Sequence, residues 1–510
     1  MPVLPRAQRL QLASQPTAQP VSIPAPITGW NARDALDEML PTDALTLDNW
    51  YPDAQGVIVR NGFTSFASGM GAAPVRTLAE YSAGSVRKFI AAATGKFYDV
   101  SVAGTVGAPL ATGFTSDAWQ WAPFLSRLFF VNGADTAQVY DGVSFANAAF
   151  TGAPLASLVG ITQYQQRLFF WQNNSTGFWF ADLNSISGAL SFYDLAAFAP
   201  HGGNLIAATT YSHDGGNGVV DFIAFIMSSG DCLIYYGNDP SNANAWSLVG
   251  IYRISPPVSP RAVCQYGAEA FITTYDDHIP LQQQLVALKL GQLPPRGKVS
   301  TAVQNAVRAN LAGFGWQALY YPRGRRLIFN IPNPDGTFSQ HVQNTALQSQ
   351  PWCRFVNMNA YCWGLFKDNL FFGAGNGTVF QADVGSLDSL GAVLANAQQA
   401  WSTFDNPMRK RITAVRPMVQ ALNSQNYSFG LGFDYGDINI AVASSTASTG
   451  SPWDSSPWDT SPWSPESIVD PHWRVGGGTG QAIGVRVTAA ANSPMVWLRT
   501  DYRFEQGSGL

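Results

Sequence analysis

The chain has 510 residues, of which 12% are charged and 13% aromatic, with a net charge of −4 and a pI near 5.7. The charged fraction is about half of the ~25% usual in globular domains, and the slight acidity argues against a protein that grips nucleic acid through its phosphates, which takes clustered Lys and Arg. The length allows two or more domains with full cores, and so little charge leaves surface that a permanent oligomer would cover.

Residues 1–28 are rich in Pro, Gln and Ala and carry Arg6 and Arg9 without an apolar stretch of signal-peptide length. Such a segment favours extended backbone with little to bury, either as a disordered tail or as an arm ordered against a neighbouring subunit. Helix-friendly residues follow from Gly29, with Leu36, Met39 and Leu40 at one-face spacing and Pro41 as a stop. Thr42 or Asp43 is placed to cap a second short turn. Asp48-Asn49-Trp50-Tyr51-Pro52 reads as a turn carrying two large aromatics, and Val57 to Val59 as a strand ending at Asn61-Gly62.

Within this stretch Asn31, Arg33, Asp34 and Ala35, then Asp48, Asn49, Trp50 and Pro52, then Arg60 and Gly62 form a pattern. It resembles the amino-terminal signature of the tail nozzle (tail hub, or stabilisation) proteins of short-tailed bacteriophages, the podoviruses. The match is confined to this short part of the chain. The resemblance implies a virion structural protein assembled in the host cytoplasm: a homohexameric ring in the tail, below the portal and its head-to-tail adaptor. That ring extends the DNA ejection channel, lets DNA pass without specific binding, and has tail fibre or tip proteins attached nearby. It implies no enzyme chemistry, no cofactor and no metal. Larger relatives insert extra domains among their blades, for which this chain has little room.

From residue 57 to 390 short apolar runs recur. Arg127-Leu128-Phe129-Phe130 returns as Arg167-Leu168-Phe169-Phe170, with weaker echoes beginning at Arg87, Asp221, Glu269, Arg326 and Asn369. The spacings are 40, 40, 54, 48, 57 and 43 residues, and most runs are followed by a turn signal and a second strand. Hairpin units at this period predict a β-propeller of about seven blades. Continuous rather than alternating apolar runs fit strands covered on both faces. Val57 to Val59 is placed to complete the final blade and remove a sheet edge. One helix interrupts, over Ser300 to Leu311, with Val303, Val307 and Leu311 on one face and Ser300 or Thr301 as cap.

The repeat stops around Leu390 to Asp405. Beyond it Tyr427, Phe429, Leu431, Phe433 and Tyr435 alternate with small or polar residues, and Ile483 to Val487 and Val496 to Leu498 add two further strands, the last ending at Tyr502-Phe504. A small antiparallel β-sandwich over 405–510 is expected. Inside it, 451–466 carries Ser-Pro-Trp three times at a period of five. Proline prevents helix there, and the spacing cannot keep Trp453, Trp458 and Trp463 on one face of a strand. The three indoles either pack on their own domain or form a contact loop, since Trp dominates interface hot spots.

No convergent catalytic group is evident. Asp276-Asp277-His278 reads as a blade turn, and Ser212 to Gly216 only partly resembles a sialidase Asp-box. Gly476 to Gly480 lacks the Lys of a phosphate loop. The five histidines have no metal spacing, and the four cysteines form no C-x-x-C pair, which suits reduced, buried thiols. Arg409-Lys410-Arg411, with Arg416, is the one basic concentration, read as a solvated or interface-paired face. No run approaches the ~20 apolar residues of a membrane helix, so a soluble chain without membrane insertion is expected. The whole is an all-β chain: an arm (1–28), a signature corner (29–56), a propeller (57–390) and a sandwich (405–510). The alternative is a propeller glycosidase or lyase acting on host polysaccharide, which needs two carboxylates converging at the propeller mouth.

Overall fold

The computed structural model describes residues 18–214, 219–422, 424–440, 442–447 and 468–506. Between Thr77 and Pro280 antiparallel strands form five separate sheets in chain order, arranged as propeller blades. The first four have four strands each; the second, for example, runs Gln120–Phe124, Arg127–Val131, Gln138–Tyr140 and Phe145–Asn147. The fifth has three and is followed by helix α1 (Leu281–Lys289), which the sequence did not signal. Two further up-and-down units, Gln317–Tyr321 to Trp352–Phe355 and Cys362–Phe366 to Val379–Ala382, belong to a 16-stranded, barrel-like sheet that continues into the carboxy-terminal region.

Every one of the seven apolar runs lies in the second strand of its unit. The side-chain period of two then sends alternate residues into different layers. Leu128 and Phe130 pack with Ile90 and Phe97 of the preceding blade, while Phe129 and Val131 pack with Leu168 and Phe170 of the next. Phe169 and Trp171 in turn meet Phe225 and Leu233. Both faces of these strands are covered, so both alternating sets must be apolar. Leu128, Phe129, Leu168 and Phe169 are each at most 1% exposed.

The strand expected to close the propeller is a different one. Val57–Val59 pairs with Trp50–Pro52 and with Val496 and Trp497 of the carboxy-terminal region. Phe63–Ser68 instead pairs antiparallel with Val379–Ala382 and supplies that unit's fourth strand. Residues 31–42 form bends and turns rather than helix, leaving Leu36 and Leu40 exposed and Met39 buried. Asn31 explains this: its side-chain oxygen accepts the backbone N–H groups of Arg33 and Asp34, a local bond that competes with helical ones. Helix α2 (Ser300–Asn310) forms as expected with Val303 and Val307 buried, but Val299 occupies the cap and no side chain caps it.

The expected boundary, 390–405, holds a strand of its own. Gly391–Gln399 already pairs with Ile483–Ala491 and with Asp43–Asp48. Ile483–Ala491 also pairs with Ser424–Phe433, where Tyr427 and Phe429 are buried and Leu431 and Phe433 half-buried. Tyr435 lies beyond the strand and is exposed. A second group of strands centres on Met495–Gln506, twelve unbroken residues that cover the last strand read from Val496 to Phe504. It pairs with Lys410–Ala421 on one side and with Gln19–Pro24 on the other. The last part of the Pro-rich arm is therefore a strand in the chain's own sheet; residues 1–17 lie outside the described residues.

Phe129→Ala and Phe169→Ala are expected to lower unfolding free energy by ~3–5 kcal/mol, the usual cost of emptying an aromatic core site. Val143→Ala, at a residue 82% exposed, is expected to stay within about 0.5 kcal/mol of the parent. Urea denaturation of the three variants checks both values.

Candidate functional site

The signature residues converge on one joint. Strand Asp43–Asp48 is its axis, pairing antiparallel with Gly391–Gln399 and parallel, at Asp48 and Arg354, with Trp352–Phe355. It therefore ties the up-and-down unit ending at Trp352–Phe355 to the carboxy-terminal strands within one sheet. At its start Asn31 Nδ2 donates to Asp43 at 2.9 Å and to Asp34 at 2.8 Å, and Asp43 also receives Lys298 at 2.6 Å. Arg33 donates to Asp34 at 2.6 Å and to the Arg296 carbonyl at 2.6 Å. That pairing holds the Asp34 carboxyl below its usual pKa, with the Asn31 bond assisting.

Beyond the strand, Asn49 adopts φ of 58°, a left-handed conformation that Asn tolerates better than most residues. Its amide donates to the Leu394 carbonyl at 2.7 Å, and its side-chain oxygen accepts Val356 N–H at 2.9 Å and Arg60 Nε at 2.8 Å. Arg60, whose side chain is 1% exposed, grips Asp388 with two bonds of 2.7 Å and donates to the Val356 and Asn61 carbonyls. Trp50 is fully buried with its ring edge-on to Trp497 at 6.3 Å. Pro52 offers its carbonyl to Asn344 Nδ2 at 2.9 Å. Gly62 passes so close to Leu387 that a Cβ would lie 1.8 Å from its carbonyl oxygen. Glycine is required there by space alone.

Asp48 pairs through two bonds of 2.6 and 2.9 Å with Arg354, while Arg60 is taken by Asn49 and Asp388. No local pattern marks Arg354, Asp388 or Lys298, which lie 306, 328 and 255 positions from their carboxylate or guanidinium partners.

Behind Arg354 lies an arrangement that sequence spacing hid. Its guanidinium covers the Trp30 ring, Trp30 meets His341 edge-on at 4.9 Å, and His341 Nδ1 is 3.1 Å from His278 Nε2. His278 stacks on Phe329 and has Thr273 Oγ1 at 3.0 Å from Nδ1. Burial lowers the pKa of His278 to about 3 and that of His341 well below the usual imidazole value, the latter helped by His278 and Arg354. A ring-to-ring hydrogen bond needs one donor and one acceptor, which excludes two protonated rings, and burial disfavours the charge on either one.

The remaining candidates are local. Asp277 accepts His278 N–H at 2.8 Å and Gly297 N–H at 2.6 Å; burial raises its pKa against those bonds, while Asp276 is exposed. Ser212 Oγ donates to Asp221 at 2.7 Å, His213 contacts Gln282 at 2.7 Å, and 215–218 lie outside the described residues. His201 and His472 each rest on one buried carboxylate, Asp231 and Asp470. In the basic cluster Lys410 turns inward and donates to the carbonyls of Asn406, Met408 and Gln481, Arg416 pairs with Asp501 at 2.6 Å, and Arg409 and Arg411 are exposed. Cys232, Cys353 and Cys362 are buried and Cys264 half-buried, all as free thiols; burial pushes those of Cys232, Cys264 and Cys362 up to about 12. Trp453, Trp458 and Trp463 lie outside the described residues. A cavity of about 690 Å³, lined by first strands of the blades, opens along the propeller centre.

Two measurements follow from the joint. Arg60→Ala leaves Asp388 without its buried partner and is expected to cost ~3–5 kcal/mol of stability, whereas Asp48→Ala, whose Arg354 partner is partly solvated, is expected to cost about 1 kcal/mol. The histidine pair sets a pH dependence with a definite sign. Its rings stay neutral in the fold but protonate on unfolding below pH ~6.5, so stability is full above that value and falls toward pH ~3 by about 1.4 kcal/mol per pH unit for each ring. Urea midpoints across that range are expected to lose part of this slope in His341→Leu.

No family model and no curated protein matches the chain. Among solved structures it is similar to the computationally designed Ika8 protein, at 10% identity and a TM-score of 0.36 over 63% of this chain and 100% of that one. BBS1N, solved in complex with ARL6DN, aligns at 11% identity and a TM-score of 0.39, covering 64% and 98%. YCF48 from Cyanidioschyzon merolae aligns at 10% identity and 0.33, covering 63% and 96%. At TM-scores below 0.5 these likenesses assign the chain to no family.

Proposed function

We propose that the chain is the nozzle, or tail hub, of a short-tailed phage: a virion structural protein that forms a ring, lengthens the DNA ejection channel and carries fibre or tip proteins. The observation that carries this reading is the joint. Asn31, Arg33, Asp34, Asp48, Asn49, Trp50, Pro52, Arg60 and Gly62, the residues of the phage resemblance, sit together where the two halves of the chain are fastened. Residues with that role serve a load-bearing subunit whose two domains must keep a fixed relation.

In this reading the propeller has seven blades. Its support is that the first strands of the five separate blades and of the two units in the large sheet neighbour one another in sequence, and that of the last unit returns to Thr77–Ala83. The carboxy-terminal strands form the sandwich, with Val415, Val419 and Trp497 facing Phe429, Val485 and Val487 in one apolar cluster. Exposed Leu390 and Leu394, at 94% and 57%, are apolar surface for lateral contact in the ring. The mechanism is shape. A net charge of −4 per subunit, or −24 for six at −4 each, keeps the channel from holding DNA, since every phosphate contact would resist sliding. Trp453, Trp458 and Trp463 contact the adjacent subunit or another tail component.

The test is incorporation. The chain, produced in cells together with tailed particles of its phage, is expected to co-purify with them as a six-fold ring in averaged electron micrographs. A monomer that never enters particles and cleaves an acidic polysaccharide would establish the glycosidase or lyase alternative instead. Replacing the three tryptophans by Ser is expected to reduce fibre attachment or genome delivery. Normal particles from that variant would remove the loop from the contact model.

A further inference from the structure

The central cavity has a chemistry of its own, which a channel-forming ring does not use. Arg261, in the turn before the fifth blade, reaches toward the first: its Nη1 donates to the Arg76 carbonyl at 3.1 Å. Its guanidinium lies 5.2 Å from the Phe314 ring centre and that of Arg76 4.9 Å, so two like charges share one aromatic ring. Asp117 is within electrostatic reach of Arg76. Among the described residues no carboxylate pairs with Arg261, whose pKa is lowered mainly by burial and further by the Arg76 charge. A guanidinium keeps its charge and presents five N–H donors in a planar fork. A single hydrogen bond to Arg76 leaves most of that fork for a ligand.

Apart from Asp221, whose carboxylate accepts Ser212 Oγ at 2.7 Å, the wall around this cation is neutral and polar. Gln120, Thr162 and Gln163 line the cavity, and among the described residues no hydrogen bond engages their side chains. Trp121 also lines it, 36% exposed, with its indole N–H tied to the Leu78 carbonyl at 3.2 Å. Gln317, by contrast, is fully committed to the Trp363 backbone, at 2.9 and 2.8 Å, and acts as a strap. The volume of about 690 Å³ lies within the ~300–1,000 Å³ usual for small-ligand sites. One cation suits one carboxylate, whereas a polyphosphate would call for several. Free amides and hydroxyls suit an array of ligand hydroxyls, and a tethered, half-exposed indole suits the apolar face of a sugar ring.

We infer that the central cavity binds an acidic saccharide, with its carboxylate on Arg261, a sugar face on Trp121 and hydroxyls on Gln120, Thr162 and Gln163. Uronic acids and N-acetylneuraminate share that chemistry, and they are separate arms of the test. Calorimetric titration of the full chain with digalacturonate and with N-acetylneuraminate is expected to give saturable one-to-one binding by at least one. Lactose, as the neutral control, and inorganic phosphate are each expected to bind far more weakly. Arg261→Gln is expected to weaken the acidic ligand about ten- to a hundredfold, the range for losing a charged hydrogen-bond partner. Trp121→Ala and Gln163→Leu alter exposed wall positions and are each expected to weaken it several-fold, which keeps the test decisive if Arg261→Gln does not fold. Absence of binding by both acids, equal binding of lactose, equal binding of phosphate, or wall variants that bind like the parent would overturn the inference. Particle incorporation is read separately, so either outcome leaves the nozzle reading standing on its own test.

Discussion

Arg60 is held by groups from three distant parts of the chain: the Asn49 side chain in the corner, the Val356 carbonyl just beyond strand Trp352–Phe355, and the Asp388 carboxylate at the start of the carboxy-terminal sheet. A buried guanidinium without its partners is costly by several kcal/mol, so these three parts are fixed together or not at all. Strand Asp43–Asp48 works beside it in the backbone, with one edge on the propeller and the other on the carboxy-terminal sheet. Trp50, pressed on Trp497, fills the space the two leave. Domain identity in this molecule is thus defined at a seam rather than by a linker.

The seam also accounts for where a sparse set of charges goes. With 29 Lys and Arg in 510 residues, the pairs Arg60–Asp388, Arg354–Asp48, Arg326–Asp383 and Lys298–Asp43 all gather around it, and most of their members are largely buried. Lys410 is likewise turned inward onto carbonyls. Outside the seam, Leu293, Leu390 and Val475 stand 95%, 94% and 87% exposed, apolar surface of the kind that suits association.

Legibility in the sequence followed the range of the interaction. Runs such as Leu128-Phe129-Phe130-Val131 were readable because a doubly covered strand must be apolar at every position, a demand written in four consecutive residues. The alternation at Tyr427 to Phe433 was readable for the complementary reason. The closing strand was not: Val57–Val59 and Phe63–Ser68 are both β-rich, and only partners more than three hundred residues away decide between them. The corner at 29–40 misled because its apolar spacing is helical while Asn31 diverts the backbone bonds. His278 and His341, Asp48 and Arg354, and the lone Arg261 are products of folding, and nothing adjacent to them in the chain announces the encounter.

Pairing between the two ends of the chain sets the timetable of its synthesis. Gln19–Pro24 waits for Arg499–Phe504, and Phe63–Ser68 for Val379–Ala382. At roughly 5–20 residues per second the ribosome leaves the first of these strands without its partner for about half a minute or more. During that interval the five self-contained blades can form, each from contiguous residues, while the amino-terminal strands remain open edges. Such edges invite pairing with other nascent chains. Pro20 and Pro24, which cannot donate to a ladder, blunt the first of them, so the prolines of this strand protect the unfinished protein as much as they shape the finished one.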